Sequence, residues 1–170
     1  MNKWSIPKPS WSEALLNDYT PNQRRHGFEN INYFFMDCIF CKIIKGDLPA
    51  LKIYEDRRAL AFLDINPINK GHALVVPKDH YDSLAELPVD LLKELIVVVQ
   101  RLITPVTEVV GADGFNLGLN NGQAAGQIIH HVHFHIIPRF KGDNLHPWPG
   151  KTYQDNEGAR IAGSIGNLLT

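Results

Sequence analysis

One stretch decides the fold of this chain, the histidine-rich run His130-His131-Val132-His133-Phe134-His135-Ile136-Ile137-Pro138. In an extended chain, alternate residues point to the same face, so such a run predicts a strand with two chemically different sides. One side carries three imidazoles in a row, those of His131, His133 and His135. The other side carries the residues that we expect in the core, Val132, Phe134 and Ile136, and with them His130 as a structural residue.

A row of imidazoles suits phosphoryl chemistry. Imidazole has an unperturbed pKa of about 6.5, so it is neutral and nucleophilic at pH 7, where a lysine amine is protonated. A neighbouring imidazolium can bind phosphate oxygens or protonate a leaving group. The preceding loop, Gly122-Gln123-Ala124-Ala125-Gly126-Gln127, offers backbone amides for a phosphate, since glycine permits close approach. At this point a metal-binding row and a structural coincidence remain as alternatives.

The rest of the pattern is α+β. Short strand-like runs lie at 50–54, 59–63, 73–76 and 115–120. A helix is predicted from about Pro88, because four apolar residues recur at helical spacing: Leu91, Leu95, Val98 and Leu102. Pro105 is expected to kink or end it, and Gly111 to close the segment. These elements predict a largely antiparallel sheet that is covered on one face.

Composition narrows the class of protein. The 170 residues include 17 Lys+Arg and 18 Asp+Glu, a net charge of −1 that argues against a protein coating nucleic acid. The longest apolar run, at 95–99, is far shorter than the ~20 residues of a membrane-spanning helix. The first residues lack the apolar region of a secretory signal. We therefore expect a protein of the reducing cytoplasm.

Three segments are predicted. Residues 1–36 form an N-terminal extension with one short helix signal, Ser10 followed by Glu13. The compact domain occupies residues 37–142. Residues 143–170 form a C-terminal tail.

The histidine run resembles the signature of the histidine triad (HIT) nucleotide-binding family, in which three histidines alternate with apolar residues. Further blocks look like family motifs in family order: Cys38-Ile39-Phe40-Cys41-Lys42-Ile43-Ile44, Phe62-Leu63-Asp64-Ile65 and Lys70-Gly71-His72-Ala73-Leu74-Val75-Val76-Pro77-Lys78-Asp79-His80. The resemblance covers residues 36–142. It implies an antiparallel sheet of about five strands with one long helix, continued across a homodimer.

The resemblance also implies a reaction, hydrolysis at the α-phosphate of a purine nucleoside phosphoramidate, acyl-nucleotide or dinucleoside polyphosphate. His133 would be the nucleophile and would form a nucleotidyl-histidine intermediate that water hydrolyses. His131 and His135 would flank it, orienting the ring and contacting phosphate oxygens, and His72 would be a fourth histidine of the site.

A nucleotide pocket is implied in the same way. Its apolar walls around the base would be Phe40, Ile43, Phe62, Ile65 and Leu74. Asp64 would accept hydrogen bonds from the ribose hydroxyls, although an Asp that starts a turn can also be a simple cap. The phosphate would be held by Asn120, Gln127, His133, His135 and the amides near Gly126.

Cys38 and Cys41 have the spacing of a zinc knuckle, which two distant histidines would complete as a tetrahedral site. The alternatives are a redox dithiol, for which a thioredoxin-like context is lacking, and two reduced thiols packed in the core. In zinc-bearing members of the family that the sequence resembles, the ligands match Cys38, Cys41, His80 and His131. The resemblance thus implies one structural Zn²⁺, with His131 as a ligand instead of a free proton donor.

One position departs from the family pattern. Many hydrolases of the family carry a serine after the Gly-Gln pair, where this chain has Ile128. The departure leaves the nucleophile in place but changes the surroundings of the leaving group. Val132 and His135 favour hydrolysis over nucleotidyl transfer, because the transferase branches carry Pro or Gln at these positions. A nucleotide-binding partner protein with weak catalysis and a nucleotidyl transferase are the alternative functions.

Overall fold

The computed structural model describes residues 38–146 and 148–169, so the helix signal at Ser10 lies outside the described residues. The described chain contains three α-helices: α1 (Ile39–Lys45), α2 (Val89–Val110) and α3 (Glu157–Leu168). It contains five strands: β1 (Lys52–Glu55), β2 (Ala59–Leu63), β3 (Ala73–Pro77), β4 (Gly114–Leu119) and β5 (Phe134–Arg139). The predicted α+β class is confirmed.

The five strands form one sheet in the order β1-β2-β3-β5-β4, and every neighbouring pair is antiparallel. Leu74 of β3 lies between Phe62 of β2 and His135 of β5. This register places a predicted pocket residue beside a predicted catalytic residue, although the two are 61 positions apart in sequence (135 − 74).

The strands alternate between two apolar layers, as the period of a β-strand requires. One face packs on α2, and its buried residues include Ala61, Val75 and Ile136. The other face packs on α1, and its core comprises Phe40, Ile43, Leu60, Phe62, Leu74 and Val76. The expectation of a sheet covered on one face is therefore incomplete, since α1 covers part of the second.

Gly71 allows β3 to start close to the end of α2. Its φ of +83° lies in the left-handed region that favours glycine. A Cβ there would also lie 2.8 Å from Cγ1 of Val110, too close for a real contact. Both constraints act one residue before His72 and fix the backbone that carries this histidine.

Three local predictions need correction. Helix α2 does not end at Pro105 but continues to Val110, where Gly111 takes the left-handed conformation predicted for a closing residue. The strand predicted for the histidine-rich run, 130–138, begins only at Phe134, because the backbone bends between 129 and 131. His130 is exposed instead of facing the core. Among the described residues, no helix is long and apolar enough to cross a membrane.

Candidate functional site

The histidine row is divided between two clusters. The backbone leaves the strand geometry before Phe134, with His131 N–H donating to the carbonyl of Ile129 (2.9 Å) and Val132 N–H donating to that of Tyr81 (2.7 Å). Phe40 of α1 stands edge-on to both His131 and His133, whereas His135 stacks on His72 beside the start of β3. Of the three histidines, only His135 lies within β5, so the regular strand alternation predicted from the sequence applies only to the end of the row.

The first cluster joins four potential metal ligands. Cys38, Cys41, His80 and His131 each offer one ligand atom, and these atoms all lie within 4.8 Å of one another. His131 Nδ1 lies 3.5 Å from Cys38 Sγ and 3.6 Å from Cys41 Sγ, while His80 Nδ1 lies 3.3 Å from Cys41 Sγ. The fold thus unites residues from the N-terminal part of the domain, the loop after β3 and the segment before β5.

Both histidines of this cluster point the correct nitrogen at the sulfurs. His131 Nε2 donates to the carbonyl of Pro77 (2.9 Å), and His80 Nε2 donates to Asp82 Oδ1 (2.9 Å). A neutral imidazole that donates through Nε2 keeps its lone pair on Nδ1. Hydrogen bonding of the distal nitrogen to a carbonyl or carboxylate is the usual support of a metal-bound histidine.

These distances and donors fit a tetrahedral metal. Bonds of about 2.3 Å to sulfur and about 2.0–2.1 Å to nitrogen put sulfur and nitrogen about 3.5 Å apart on a tetrahedron. Burial and the neighbouring Cys38 raise the pKa of the Cys41 thiol to about 12 in the metal-free protein. A bound cation reverses such a shift by stabilising the thiolate.

The second cluster contains His133, which is 6% exposed. Its Nδ1 donates to the backbone carbonyl of His131 at 2.6 Å, so the lone pair resides on Nε2. The phenyl ring of Phe40 stands edge-on to the imidazole with centroids 5.2 Å apart. This arrangement fixes the ring and prepares one nitrogen as a nucleophile.

His72 and His135 lie beside it and are joined by a hydrogen bond. Ile68 N–H donates to His72 Nδ1 (3.3 Å), so the neutral His72 ring carries its proton on Nε2 and donates to His135 Nδ1 (3.0 Å). His135 then carries its proton on Nε2, a buried atom without a hydrogen-bond partner among the described residues. A buried donor of this kind is able to donate to an oxygen of a bound ligand.

Burial keeps these rings neutral. It lowers the pKa of His135 to about 4, with a further contribution from the charges of His133 and His72. Burial also lowers the pKa values of His133 and His72, against an opposing effect of the Asp64 carboxylate. Neutral imidazoles retain the lone pair that nucleophilic attack requires.

The predicted base-contacting residues are largely brought together. Phe40, Ile43, Phe62 and Leu74 belong to one buried cluster, and the rings of Phe40 and Phe62 are 5.5 Å apart. Ile65 is 41% exposed and lies outside this cluster. One carboxylate oxygen of Asp64 caps the turn through Asn66 N–H (2.8 Å), as one of the two interpretations of the sequence predicts, and the other oxygen lies 3.5 Å from His72 Nδ1.

The glycine loop is held by Gln127 in a way that its sequence does not indicate. The side chain is buried, accepts from Gly122 N–H (2.6 Å) and donates to the carbonyls of Asp82 (2.6 Å) and Ile129 (3.2 Å). Its amide is thus used within the protein. Asn120 donates weakly to the carbonyl of Gly126 (3.4 Å) across the same loop.

Two supporting residues were missed from the sequence, Asp82 and Ile68. Asp82 follows His80 by two positions, but nothing in the spacing distinguishes it from Asp79. Ile68 acts through its backbone amide, which any residue except proline would supply. No sequence signal identifies such a contact.

This geometry agrees with the family comparison. Residues 45–142, more than half of the chain, match the HIT domain. The chain belongs to the HIT family.

Three relatives show the range of names within the family. An uncharacterised HIT-like protein of Methanocaldococcus jannaschii is 57% identical over 106 residues, covering 62% of this chain and 81% of that protein. The adenosine 5'-monophosphoramidase hnt1 of Schizosaccharomyces pombe is 47% identical over 104 residues, covering 61% and 75%. An adenylylsulfatase of Arabidopsis thaliana is 48% identical over 109 residues, covering 64% of this chain but only 55% of that protein.

Two solved structures share the fold. A HIT-family protein of Bacillus subtilis is 39% identical with a TM-score of 0.71, covering 78% of this chain and 97% of that chain. A histidine triad family protein of Mycobacterium smegmatis, described as zinc-bound, is 37% identical with a TM-score of 0.62, covering 79% and 96%.

Proposed function

We propose that this protein hydrolyses purine nucleotides at the α-phosphate, with His133 as the nucleophile. The observation that carries the proposal is the tautomer of His133, whose Nδ1–H is engaged by a backbone carbonyl so that Nε2 keeps the lone pair. Relatives named as an adenosine monophosphoramidase and an adenylylsulfatase support a nucleotide hydrolase. The substrate class comprises nucleoside phosphoramidates, acyl-nucleotides and dinucleoside polyphosphates.

The reaction proceeds in two displacements. His133 Nε2 attacks the α-phosphorus, the bond from phosphorus to the leaving nitrogen or oxygen breaks, and a nucleotidyl-histidine forms. The leaving group takes its proton from solvent, because Ile128 has no hydroxyl to donate. Water then attacks the phosphorus, the P–N bond to His133 breaks, and the nucleoside monophosphate is released.

The neighbouring histidines bind the phosphate in this proposal. The buried Nε2–H of His135 donates to a phosphate oxygen, and His72 holds the His135 ring in the required tautomer. The amides near Gly126, together with Asn120, complete the phosphate contacts. His131 acts on the reaction through its carbonyl, which orients His133.

The base and ribose occupy the pocket beside these histidines. Phe40, Ile43, Phe62 and Leu74 form an apolar wall for a purine, with Ile65 at its exposed edge. Asp64 accepts hydrogen bonds from the ribose hydroxyls in this proposal. Its carboxylate lies beside His72 and is partly exposed, so a ligand can reach it.

The Cys/His cluster holds a structural Zn²⁺ in this proposal. Cys38, Cys41, His80 and His131 would ligate it, which ties α1 to the segment before the nucleophile. Both cysteines are free thiols, and a reducing cytoplasmic compartment keeps them available as ligands.

The protein is a homodimer in this proposal, and a second copy of the chain covers its exposed apolar surface. The outer face of α2 and the edge strand β4 present large apolar side chains to solvent, including Ile96, Val97, Phe115 and Leu117. Between them lies a hollow of about 290 Å³. We place the homodimer interface at this surface, with the sheet continued through β4.

The test replaces the nucleophile. In His133→Ala, turnover of an adenosine phosphoramidate should fall by about four orders of magnitude or more, because no other imidazole is prepared in the same way. Affinity for adenosine monophosphate should persist. The matched control is His130→Ala, an exposed histidine of the same segment that should keep wild-type turnover.

Substantial turnover by His133→Ala would sink the mechanism. The alternative function, a nucleotide-binding partner with weak catalysis, is favoured by Ile128, which is 69% exposed and lacks a hydroxyl beside the leaving group. It predicts tight monophosphate binding with slow turnover in the wild type.

A further inference from the structure

The metal cluster and the glycine loop are joined by a continuous chain of hydrogen bonds. It starts at His80, whose Nδ1 faces Cys41 and whose Nε2 donates to Asp82 Oδ1 (2.9 Å). His80 is therefore bonded on both sides of its ring. The ring thus holds the side-chain carboxylate of Asp82, and the backbone carbonyl of the same residue is the acceptor in the next link.

The second link is Gln127. Its Nε2 donates to the carbonyl of Asp82, and its Oε1 accepts from Gly122 N–H, both at 2.6 Å. Its own backbone N–H returns to the carbonyl of Gly122 (3.1 Å). Gly122 has a φ of +79°, a conformation in which any other residue is strained. The two hydrogen bonds between Gln127 and Gly122 therefore hold the first residue of the loop in this conformation.

A parallel contact runs beside this chain. Asn121 Oδ1 accepts from Leu84 N–H at 2.7 Å. The segment after β3 thus contacts the loop directly at Asn121, and it contacts Gly122 only through Gln127. Because Gln127 is only 5% exposed, breaking its bond to Gly122 leaves the buried Oε1 unpaired, which disfavours any loop geometry without this bond.

We propose that Gln127 is a positioning residue that couples metal binding at the Cys/His cluster to phosphate binding at the loop 120–126. The coupling rests on the proposed nucleotide site and adds a regulatory property to it. A metal that fixes His80 favours the loop geometry that accepts the phosphate. By thermodynamic linkage, a bound nucleotide then raises the affinity for the metal by the same factor.

Zinc affinity measures the coupling without recourse to activity. We expect adenosine monophosphate to raise the zinc affinity of the full-length wild-type chain about tenfold, within the usual range of coupling between two sites. In Gln127→Met, which keeps the approximate shape but removes all three side-chain hydrogen bonds, the factor should fall towards one. The measurement is competition with a chelator at fixed pH, with and without saturating monophosphate.

A matched control separates this effect from a general loss of polarity. Gln154→Met makes the same replacement at an exposed position of the tail and should keep the wild-type factor. An unchanged factor in Gln127→Met overturns the coupling, as does a wild-type zinc affinity that does not respond to the monophosphate. Failure of the zinc-loaded wild type to bind monophosphate contradicts the proposed function instead.

A second measurement applies where Gln127→Met does not fold or does not bind the nucleotide. Removal of zinc from the wild type should speed hydrogen exchange at the Gly122 amide, which Gln127 protects, and leave the core amide of Val75 unchanged. Equal protection of Gly122 with and without zinc overturns the proposal.

Discussion

His131 and His133 present opposite ring nitrogens, although they are only two residues apart. His131 donates through Nε2 to Pro77 and turns Nδ1 to the sulfurs, whereas His133 donates through Nδ1 and keeps Nε2. In both cases a backbone carbonyl selects the tautomer. The backbone carbonyl that accepts from each ring therefore determines which nitrogen keeps its lone pair, although both residues are histidines.

The acid sensitivity of folding follows from the burial of His135. Its pKa is about 6.5 in an unfolded chain and is lowered to about 4 in the folded one. Above pH 6.5 the ring is neutral in both states, so the titration of His135 does not reduce the free energy of unfolding. As the pH falls from 6.5 towards 4, the unfolded chain binds a proton that the folded chain does not, so the free energy of unfolding decreases.

We expect His135→Gln to weaken this decrease. Wild type should lose stability relative to the variant by up to about 1.4 kcal/mol per pH unit across that window. Denaturant unfolding of both chains at pH 7, 6 and 5 measures the difference in their free energies of unfolding. The Cys/His cluster is the same in both chains, so its own pH dependence cancels in this difference. The groups that face the ring are His72, His133 and Asp64. Parallel curves for the two chains would contradict the assignment.

At the scale of the element, α2 supports the sheet through one stripe of buried residues. Val99 is 1% exposed in this stripe, whereas Val109 of the same helix is 85% exposed. Val99→Ala should lower the free energy of unfolding by about 2 kcal/mol, from the lost transfer of two methyl groups and a residual cavity. Val109→Ala should change it by less than about 0.5 kcal/mol. Similar losses measured by denaturant unfolding would show that the helix packs differently.

The Cys/His cluster is a junction between elements, since it connects α1 with the ends of β3 and the bend before β5. We expect about one zinc per chain in protein purified without chelator, as four ligands make one tetrahedral site. Cys41→Ser should lose most of this metal, because a hydroxyl is a poor substitute for a thiolate. Elemental analysis decides, and a metal-free wild type would refute the site.

The elements also show what the sequence could and could not predict. The stripe of α2 follows from helical periodicity, because the helix packs on one face, whereas β2 and β3 follow from short continuous apolar runs, because both of their faces are buried. Helix α1 is missed because Ile39–Lys45 is a short apolar run whose period does not separate helix from strand. His130 is misplaced because the backbone bends ahead of β5, and that bend is set by the distant Tyr81 carbonyl.

The candidate site divides in the same way. The spacing of Cys38 and Cys41 predicts half of a metal site, and the resemblance to the HIT family implies the other two residues, His80 and His131, which the fold brings close to the cysteines. The tautomers, and the internal role of Gln127, depend on carbonyls and amides that the sequence does not single out. The kind of chemistry at the site is thus predictable from the side chains. The orientation of those side chains, which backbone carbonyls and amides determine, is not.

At the scale of the whole molecule, one apolar surface has no cover among the described residues. Val97 on α2 is 51% exposed and Leu117 on β4 is 43% exposed, on either side of the hollow of about 290 Å³. Exposed patches of large apolar residues mark interaction surfaces. A β4 edge is also a template for pairing with another strand.

We therefore expect a dimer in solution, with a mass near twice the 19.2 kDa of the chain. Val97→Lys should shift the mass to that of the monomer, because the free-energy cost of burying an ammonium without a partner exceeds what the contacts of a standard interface contribute. Val109→Lys, an equally drastic change on the same helix but away from the hollow, should leave the dimer intact. Light scattering at several concentrations measures both masses. A Val97→Lys chain that stays dimeric would move the interface to another surface, and a monomeric wild type would remove it altogether.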